Sequence, residues 1–470
     1  MENRYKRLGK NTILVFIGNA GSKLIGLLLL PFYTHYLSPV EYGITDMISV
    51  YASICLPIIT ACIADGIFVF PKNSDDDGKR KYFTSGLLFV LGAFGISAIL
   101  FYGIDVVSSL TNHKSTFTNY IWWVFAMTIA NFLQLYTQQF CRSIDKMVVF
   151  SVTGVVQTVL MAVLAFLLVP SYGIVGYFWS LVASSLLSSF YSFIFSGSYK
   201  YLRIPSFNSD SLRELLKYGL PLIPNSLMWW LVNGLNRPLM ESDLGLHSIG
   251  IYSVAHRFPS LINLLFTVFT AAWTISMVEE YKKPDFPVFY NKMIRLITVF
   301  LVIGGIVLSS SSKLIVSIFA APDFYDAWRY IPLLTIAAIF QCISSLVGGV
   351  FMASKNSKYF FYSSIWAAVV SLVCTFFFIK IWGLVGVCIA LTLSFLCMLV
   401  SRAIYATKYV NVEYKPLVSL FLIAFIQIIV LTFDVPLIIN IIVSTFVLLL
   451  VVIQNMSLLK SVKQQINRKG

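Results

Sequence analysis

Four ionisable side chains lie inside long apolar segments of this sequence: Lys23, Asp46, Arg237 and Arg257. Lys23 is the only charge in the apolar run Ile13–Tyr33, which is long enough to cross a bilayer. An ionisable group at bilayer depth is costly unless it snorkels, pairs or faces water, so it marks a pathway or a binding site. Three of the four are cations, which suit an anionic cargo.

Helical periodicity places two of these charges on polar faces of the first two spans. At 100° per residue, Asn19 and Lys23 share one narrow face of the first span, opposite leucine, isoleucine and valine. Asp46 follows the same pattern in the second span, in line with Ser49 and Ser53. Because the spans are consecutive and antiparallel, Lys23 and Asp46 can pair directly. In the alternative interpretation, Lys23 binds an anion in an aqueous cavity and Asp46 sets its charge state.

The seventh predicted span carries a row of asparagines that ends in a cation. Asn225, Asn233 and Asn236 recur along the span, close to helical spacing, after an opening turn with two prolines. Arg237 lies near the outer end, within one turn of Glu241. Snorkelling with a local ion pair therefore explains Arg237 as well as cargo binding does.

Arg257 in the eighth span is harder to explain by snorkelling. It lies nine residues past Ser248, which places it roughly 13–14 Å into the membrane. Arg257 is therefore the deepest cation of the second half of the chain. The predicted substrate-binding residues are Lys23, Arg237, Arg257, Asp46, Asn19, Asn225 and Asn233.

The elements that position these residues are predicted to be membrane-spanning helices. The 470 residues are 58% hydrophobic and only 11% charged, against about 25% charged in soluble domains. Apolar stretches of about 20 residues, the length of a transmembrane helix, recur along the chain. We predict fourteen spans, centred near residues 22, 57, 94, 130, 159, 184, 228, 264, 302, 340, 370, 394, 423 and 444.

The net charge of +14 follows the predicted topology and does not indicate nucleic-acid binding. If the N-terminus is cytoplasmic, 26 of the 34 lysines and arginines fall in inside segments. The outer loops are short and nearly free of lysine and arginine, as the positive-inside rule requires. We therefore expect both termini in the cytoplasm. The opening apolar run is too long for a cleavable signal, and it has no small-residue cleavage site.

Signals for catalysis are missing from the sequence. It has no GxxxxGK[ST] phosphate loop, no HExxH motif, and seven cysteines without CxxC spacing. The longest polar loop, about 20 residues, is short for the sugar-handling site of a membrane glycosyltransferase. We therefore expect a transporter and no enzyme, metal site or disulfide.

An internal duplication predicts the architecture. At a shift of 207 to 211 residues, Leu37–Ile44 aligns with Leu244–Ile251, and Tyr172–Gly176 aligns with Trp382–Gly386. Six spans separate the copies, so both halves keep the same orientation. We predict two parallel six-helix halves around a central cavity, at 1–200 and 201–410. Residues 411–470 then hold two additional spans and a cytoplasmic tail.

The longest polar break in the chain joins the two predicted halves. Residues 196–211 form this linker and contain Pro205. The linker leads into Ser209 and Asp210, which are typical of a capped helix start. We expect this helix to lie at the membrane interface.

Several motifs resemble the Wzx-type polysaccharide flippases of the multidrug, oligosaccharidyl-lipid and polysaccharide exporter superfamily. The segment Asn11–Met47, with its turn Leu37–Gly43, is similar to the family's opening. Tyr218–Pro224, Asn236-Arg237 and Gly250–Arg257 are similar to its second-half signature. In relatives an acidic residue is common directly before this arginine, whereas this sequence has Asn236 there. The charge balance near Arg237 therefore differs from that of the relatives.

The resemblance implies translocation of undecaprenyl-diphosphate-linked oligosaccharides to the periplasmic leaflet of a bacterial inner membrane, for O-antigen or capsule synthesis. It implies alternating access with a cationic cavity, in which Lys23, Arg257 and then Arg237 meet the diphosphate. It implies no cofactor beyond a coupling proton or sodium ion. The implied partners are membrane lipids, the lipid-linked oligosaccharide, a polysaccharide polymerase and chain-length proteins, with no nucleic acid. The alternatives are an ion-coupled multidrug exporter on the same fold and an envelope-assembly scaffold without transport.

Overall fold

The structure is a computed structural model that describes residues 26–111, 115–354, 356, 358–412 and 437–456. Lys23, Asn19 and the predicted span near residue 423 lie outside the described residues. Within these ranges the chain forms helices and no strand. Only the end of the first predicted span, near residue 22, is described. The centres of the other twelve predicted spans all fall within described helices.

The helices of the first part of the chain run to the end of the seventh predicted span. They are α1 Leu30–Tyr36, α2 Pro39–Thr60, α3 Ile63–Val69, α4 Asp76–Thr111, α5 Thr116–Asn119, α6 Ile121–Ser143, α7 Met147–Phe195, α8 Ser209–Gly219 and α9 Ile223–Asn233.

Six further helices, of varied length, complete the described part of the chain. They are α10 Asn236–Glu280, α11 Phe286–Ser310, α12 Ser312–Phe319, α13 Ile331–Ala353, α14 Lys358–Ala406 and α15 Leu437–Gln454. Single 3₁₀ turns or short 3₁₀ helices join several of them, including Leu220–Leu222 before α9 and Pro322–Arg329 before α13.

By length and composition, six of the described helices can cross a membrane: α2, α4, α7, α11, α13 and α14. Helices α7 and α14 have 49 residues each, and each contains two predicted spans. Helices α6 and α10 are long but carry amide and charged residues, which lowers their hydropathy. The described chain is therefore an all-α polytopic membrane protein, as predicted.

The described residues form two compact units. The first contains those up to Trp230 together with Gly245–Gly250, and the second contains Leu231–Leu244 together with those from Ile251 onward. The ranges predicted for the two halves and the C-terminal pair stay a prediction.

The duplication is visible in the backbone of two equivalent hairpins. Gly173 bends α7 with φ 54° and ψ −130°, and Gly383 bends α14 with φ 55° and ψ −132°. Side-chain-bearing residues rarely adopt this conformation, so glycine at both positions lets two spans follow each other without a loop. Three residues later, Gly176 and Gly386 each lie against the backbone of the preceding span, at Leu168 and Phe378. The same turn has been kept in both copies.

Helix α2 begins at a capping box that the sequence encodes. The Ser38 hydroxyl accepts from the Glu41 backbone N–H at 3.3 Å, and the Glu41 carboxylate accepts from the Ser38 N–H at 2.9 Å. Pro39 occupies the first turn, where its missing N–H is harmless. The helix ends at Ala61 and Cys62, which both adopt left-handed conformations before α3 starts.

A reciprocal glycine crossing lies next to this helix start, within the first unit. The Cα of Gly43 faces the carbonyl of Leu246, and the Cα of Gly250 faces the carbonyl of Pro39. The 207-residue shift of the duplication relates Gly43 to Gly250 and Pro39 to Leu246. The two copies of one turn therefore pack against each other in a symmetric contact that has no space for a Cβ atom at either glycine.

The last helix, α15, packs against α11 within the second unit. Five valine and isoleucine side chains form the apolar centre of this contact: Val299, Val302, Ile306, Val447 and Val451. At one end Asn440 donates to the Ser310 carbonyl at 3.1 Å, and at the other Arg295 donates to the Asn455 carboxamide at 2.9 Å. Polar contacts at both ends fix the register of α15 on α11.

Candidate functional site

The predicted polar face of α2 is the accessible face of that helix. Asp46 and Ser49 are half-buried and Ser53 is exposed, whereas Met47 and Ile48 are fully buried. The hydroxyl of Ser53 donates to the carbonyl of Val50, as serines in apolar helices commonly do. Asp46 therefore lies on the less buried side of α2, and its role toward a ligand stays a prediction.

Helix α9 presents its asparagines in different environments. Asn225 is exposed in the first turn, and Asn233 is half-buried at the last residue. Between them, the indole N–H of Trp230 donates to the Val50 carbonyl at 3.1 Å, within the first unit. This bond holds α9 beside the polar face of α2.

Arg237 lies in an internal network of the second unit. Its side chain is only 7% exposed and donates to the Asn233 carbonyl and, at 2.8 Å, to the Asn236 carboxamide oxygen. The guanidinium lies 4.8 Å from the centre of the Tyr252 ring, a cation–π contact. Asn236 completes the network by donating to the Tyr252 hydroxyl at 3.0 Å. The network positions the start of α10, and a cargo role for Arg237 stays a prediction.

Arg257 has the opposite environment on the same helix. It is exposed, while its neighbours Ala255 and Phe258 are buried. The backbone carbonyl of Arg257 accepts a hydrogen bond from the Ser260 hydroxyl at 2.6 Å. Ser260 directly follows Pro259, which has no N–H to donate to the backbone hydrogen bonds of the helix. Of the two arginines predicted here, Arg257 is the exposed one and Arg237 the buried one, and a cargo role for Arg257 stays a prediction.

A polar chain in the first unit was missed by the sequence interpretation. Gln134 on α6 donates to Gln157 on α7, which donates to the Ser185 hydroxyl at 3.3 Å. Asn131, Gln134, Gln138 and Arg142 lie three or four residues apart along α6, which is the signal that could have found this face.

Arg402, near the end of α14, was also missed, because in the sequence it looks like any basic residue at the end of a span. It is 3% exposed, donates to the Ser363 hydroxyl at 3.0 Å and to the Ser344 carbonyl at 3.1 Å, and lies over the Phe360 ring. These contacts join α13 to both arms of α14. No periodicity in the sequence reveals this burial.

Within the described ranges, no group of three or more histidine, cysteine, aspartate or glutamate side chains could hold a metal ion. The cysteines there are all unpaired thiols. Of the predicted site residues in these ranges, Asp46, Asn225, Asn233 and Arg257 are half-buried or exposed, and Arg237 is buried.

Residues 8–277 match the family model described as "Polysaccharide biosynthesis protein". The chain belongs to this family. The match spans more than half of the sequence and includes Asp46, Arg237 and Arg257. The predicted resemblance to polysaccharide exporters is thereby confirmed. No curated protein matches the sequence.

Solved transporters share the fold of this family member. The lipid II flippase MurJ in an inward closed conformation superposes with a TM-score of 0.66 at 16% identity, covering 95% of this chain and 100% of MurJ. An inward-facing multidrug resistance MATE transporter of the MOP superfamily gives 0.58 at 15% identity, covering 85% and 94%. A MOP superfamily transporter from Pyrococcus furiosus gives 0.56 at 14% identity, covering 85% and 95%. At these identities the likeness establishes the fold, which confirms the predicted fold class.

Proposed function

We propose that this protein flips undecaprenyl-diphosphate-linked oligosaccharide repeat units from the cytoplasmic to the periplasmic leaflet of the bacterial inner membrane. The product feeds surface polysaccharide synthesis, as O-antigen or capsule, together with a polymerase and chain-length proteins. The family match to polysaccharide biosynthesis supports the sugar, and the likeness to a lipid II flippase supports a lipid-linked substrate. Both termini lie in the cytoplasm in this proposal, as the positive-inside pattern predicts.

The observation that carries the proposal is the exposed Arg257 on α10, between the buried residues Ala255 and Phe258. A diphosphate needs a cation at membrane depth, and an arginine binds phosphate oxygens through a planar fork of N–H donors. Arg257 is exposed, whereas Arg237 is buried. In the proposed mechanism Arg257 meets the diphosphate, together with Lys23. Exposed amides such as Asn225 meet the sugar hydroxyls.

Translocation proceeds in this proposal by alternating access. The bound diphosphate neutralises the cations, which lowers the cost of carrying a charge across the apolar layer. A proton or sodium ion couples the cycle. Asp46, on the accessible face of α2, balances the local positive charge when the cargo has left.

The decisive experiment compares arginine variants in cells that make the surface polymer. Arg257→Ala and Lys23→Ala are expected to abolish surface polysaccharide at normal protein level, and Arg257→Lys to retain part of it. Arg329→Ala is the matched control, because Arg329 is exposed in the 3₁₀ helix after α12 and pairs only weakly, at 3.6 Å, with Asp326. Normal polymer from both Arg257→Ala and Lys23→Ala would refute the diphosphate role.

The likeness to MATE transporters favours one second candidate, an ion-coupled exporter of organic cations. That function predicts raised resistance to cationic dyes in cells that overproduce the protein. It also predicts that removing Arg257 leaves dye export intact, because a cation on the pathway repels cationic cargo. Dye resistance without any polymer defect would favour this candidate.

A further inference from the structure

The linker after α7 is a fixed surface and not a loose connection. On α4, the fully buried Thr84 hydroxyl donates to the Tyr201 carbonyl and accepts from the Arg203 N–H, both at 3.1 Å. The neighbouring Ser85 hydroxyl accepts from the Asn208 N–H at 2.8 Å. Three hydrogen bonds therefore hold residues 201–208 against α4.

Helix α8, which follows, is held equally firmly. Asn208 caps it by accepting from the Ser211 N–H at 2.8 Å, one residue before the start that the sequence predicted. Leu215 is fully buried in the core of the first unit, against Gly66 and Gly86. Glu214 accepts from the Tyr82 hydroxyl. The linker and α8 thus form one platform on the first unit.

This platform presents large apolar side chains away from the protein. Ile204 is 71% exposed, Tyr199 50% and Phe207 49%, and Leu202 is exposed beside them. Side chains on a loop fixed by hydrogen bonds cannot fold back to hide this surface. Clustered exposed apolar residues on a fixed segment mark an interaction surface.

Charge and position identify the partner. The exposed cations Lys200 and Arg203 alternate with the apolar side chains, and Lys200 lies 5.8 Å from the Tyr199 ring. The platform directly follows α7, which is long and apolar enough to cross a membrane, so lipid headgroups are the neighbours expected at its end. Aromatic and aliphatic side chains mixed with lysine and arginine are the composition that binds this interface.

We propose that residues 199–207, the linker surface, bind anionic phospholipid headgroups of the adjacent leaflet. Ile204 and Phe207 enter the boundary between headgroups and acyl chains, and Lys200 and Arg203 contact the lipid phosphates. This anchors the first unit to one leaflet. The inference is independent of the proposed transport substrate.

The first test locates Ile204 in a bilayer. The full-length Ile204→Cys variant carries an environment-sensitive fluorophore and is reconstituted in vesicles of phosphatidylcholine, with or without phosphatidylglycerol. Nitroxide-bearing lipids should quench the fluorophore and aqueous iodide should not, with more protection when phosphatidylglycerol is present. Asp285→Cys, in an exposed polar loop, is the control that iodide should quench. Labelled unsubstituted protein corrects for the native thiols.

The second test measures the charge contribution. Each basic residue near an anionic surface contributes about 1 kcal/mol, so Lys200→Gln with Arg203→Gln should lower selectivity for phosphatidylglycerol up to roughly 30-fold. Spin-labelled lipid competition measures this selectivity. The matched pair Lys282→Gln and Lys283→Gln, on another exposed loop, should leave it unchanged.

Two results would overturn the proposal. One is full iodide quenching at Ile204→Cys in both vesicle types. The other is iodide quenching at Ile204→Cys in pure lipid vesicles together with protection from iodide in native membranes. That result would identify a protein partner instead of lipid. If a transport variant such as Arg257→Ala stopped polymer export while quenching and lipid selectivity stayed unchanged, lipid binding by the linker surface would be supported as independent of transport.

Discussion

Replacing Gly250 with alanine tests the reciprocal crossing of the duplicated turns. A Cβ at this position would lie 2.7 Å from the Pro39 carbonyl carbon and closer still to its oxygen. Both contacts are to backbone atoms, which cannot rotate away as a side chain can. The alanine must therefore push the start of α2 and the segment after Gly245 apart.

The size of the effect follows from the geometry. Carbon atoms pack at about 3.5–4.0 Å, so the backbones must separate by about 1 Å. Overpacking of this kind costs about 1–3 kcal/mol, against which alanine gains about 0.5–1 kcal/mol of helix propensity over glycine. We expect Gly250→Ala to lose about 1–2 kcal/mol. Gly95→Ala on α4, where nothing lies within 4 Å, should be neutral or slightly stabilising.

The symmetry of the crossing makes a stricter prediction. Gly43→Ala meets the Leu246 carbonyl and should cost as much as Gly250→Ala. Because either substitution already separates the backbones, the double variant should cost less than the sum of the two. Thermal unfolding of the purified protein in detergent measures all three variants. Additive losses, or a Gly250→Ala variant as stable as Gly95→Ala, would refute the reasoning.

The remaining predictions concern stability elsewhere in the chain. Tyr252→Phe should lower the free energy of unfolding by about 1–3 kcal/mol, because the buried side-chain amide of Asn236 loses its acceptor. Tyr252→Leu should lower it further, because this variant also removes the aromatic ring from Arg237. Thermal unfolding ranks the two variants. Gly173→Ala should lose about 1–3 kcal/mol through backbone strain, seen as a lower unfolding temperature. Asn455→Leu should remove the shorter of the two hydrogen bonds that Arg295 donates at the end of α15, leaving only the one to the Gln454 carbonyl at 3.4 Å, and should speed proteolysis near the C-terminus. Unchanged cleavage would contradict this role of Asn455.

The repeat was predictable because its signal is local. The Tyr/Trp-Gly turns of the two hairpins require one unusual backbone conformation, so the same residue type recurs where Gly173 and Gly383 stand. The polar face of α2 was predictable for the same reason, since periodicity alone separates Asp46 from Met47. Burial that depends on distant partners left no such pattern. Arg402 looks like any basic residue at the end of a span until Ser344 and Ser363 surround it.

The environments of Arg237 and Arg257 follow from which face of α10 is buried. Tyr252 is fully buried and holds the Arg237 guanidinium against its ring. Arg257 lies five residues later, about 140° around the helix, and so emerges on the opposite side. A buried guanidinium that donates to neighbouring carbonyl and carboxamide oxygens is harder for a phosphate to reach than an exposed one. The same helix therefore uses one arginine to hold its own start in place and presents the other to the proposed diphosphate.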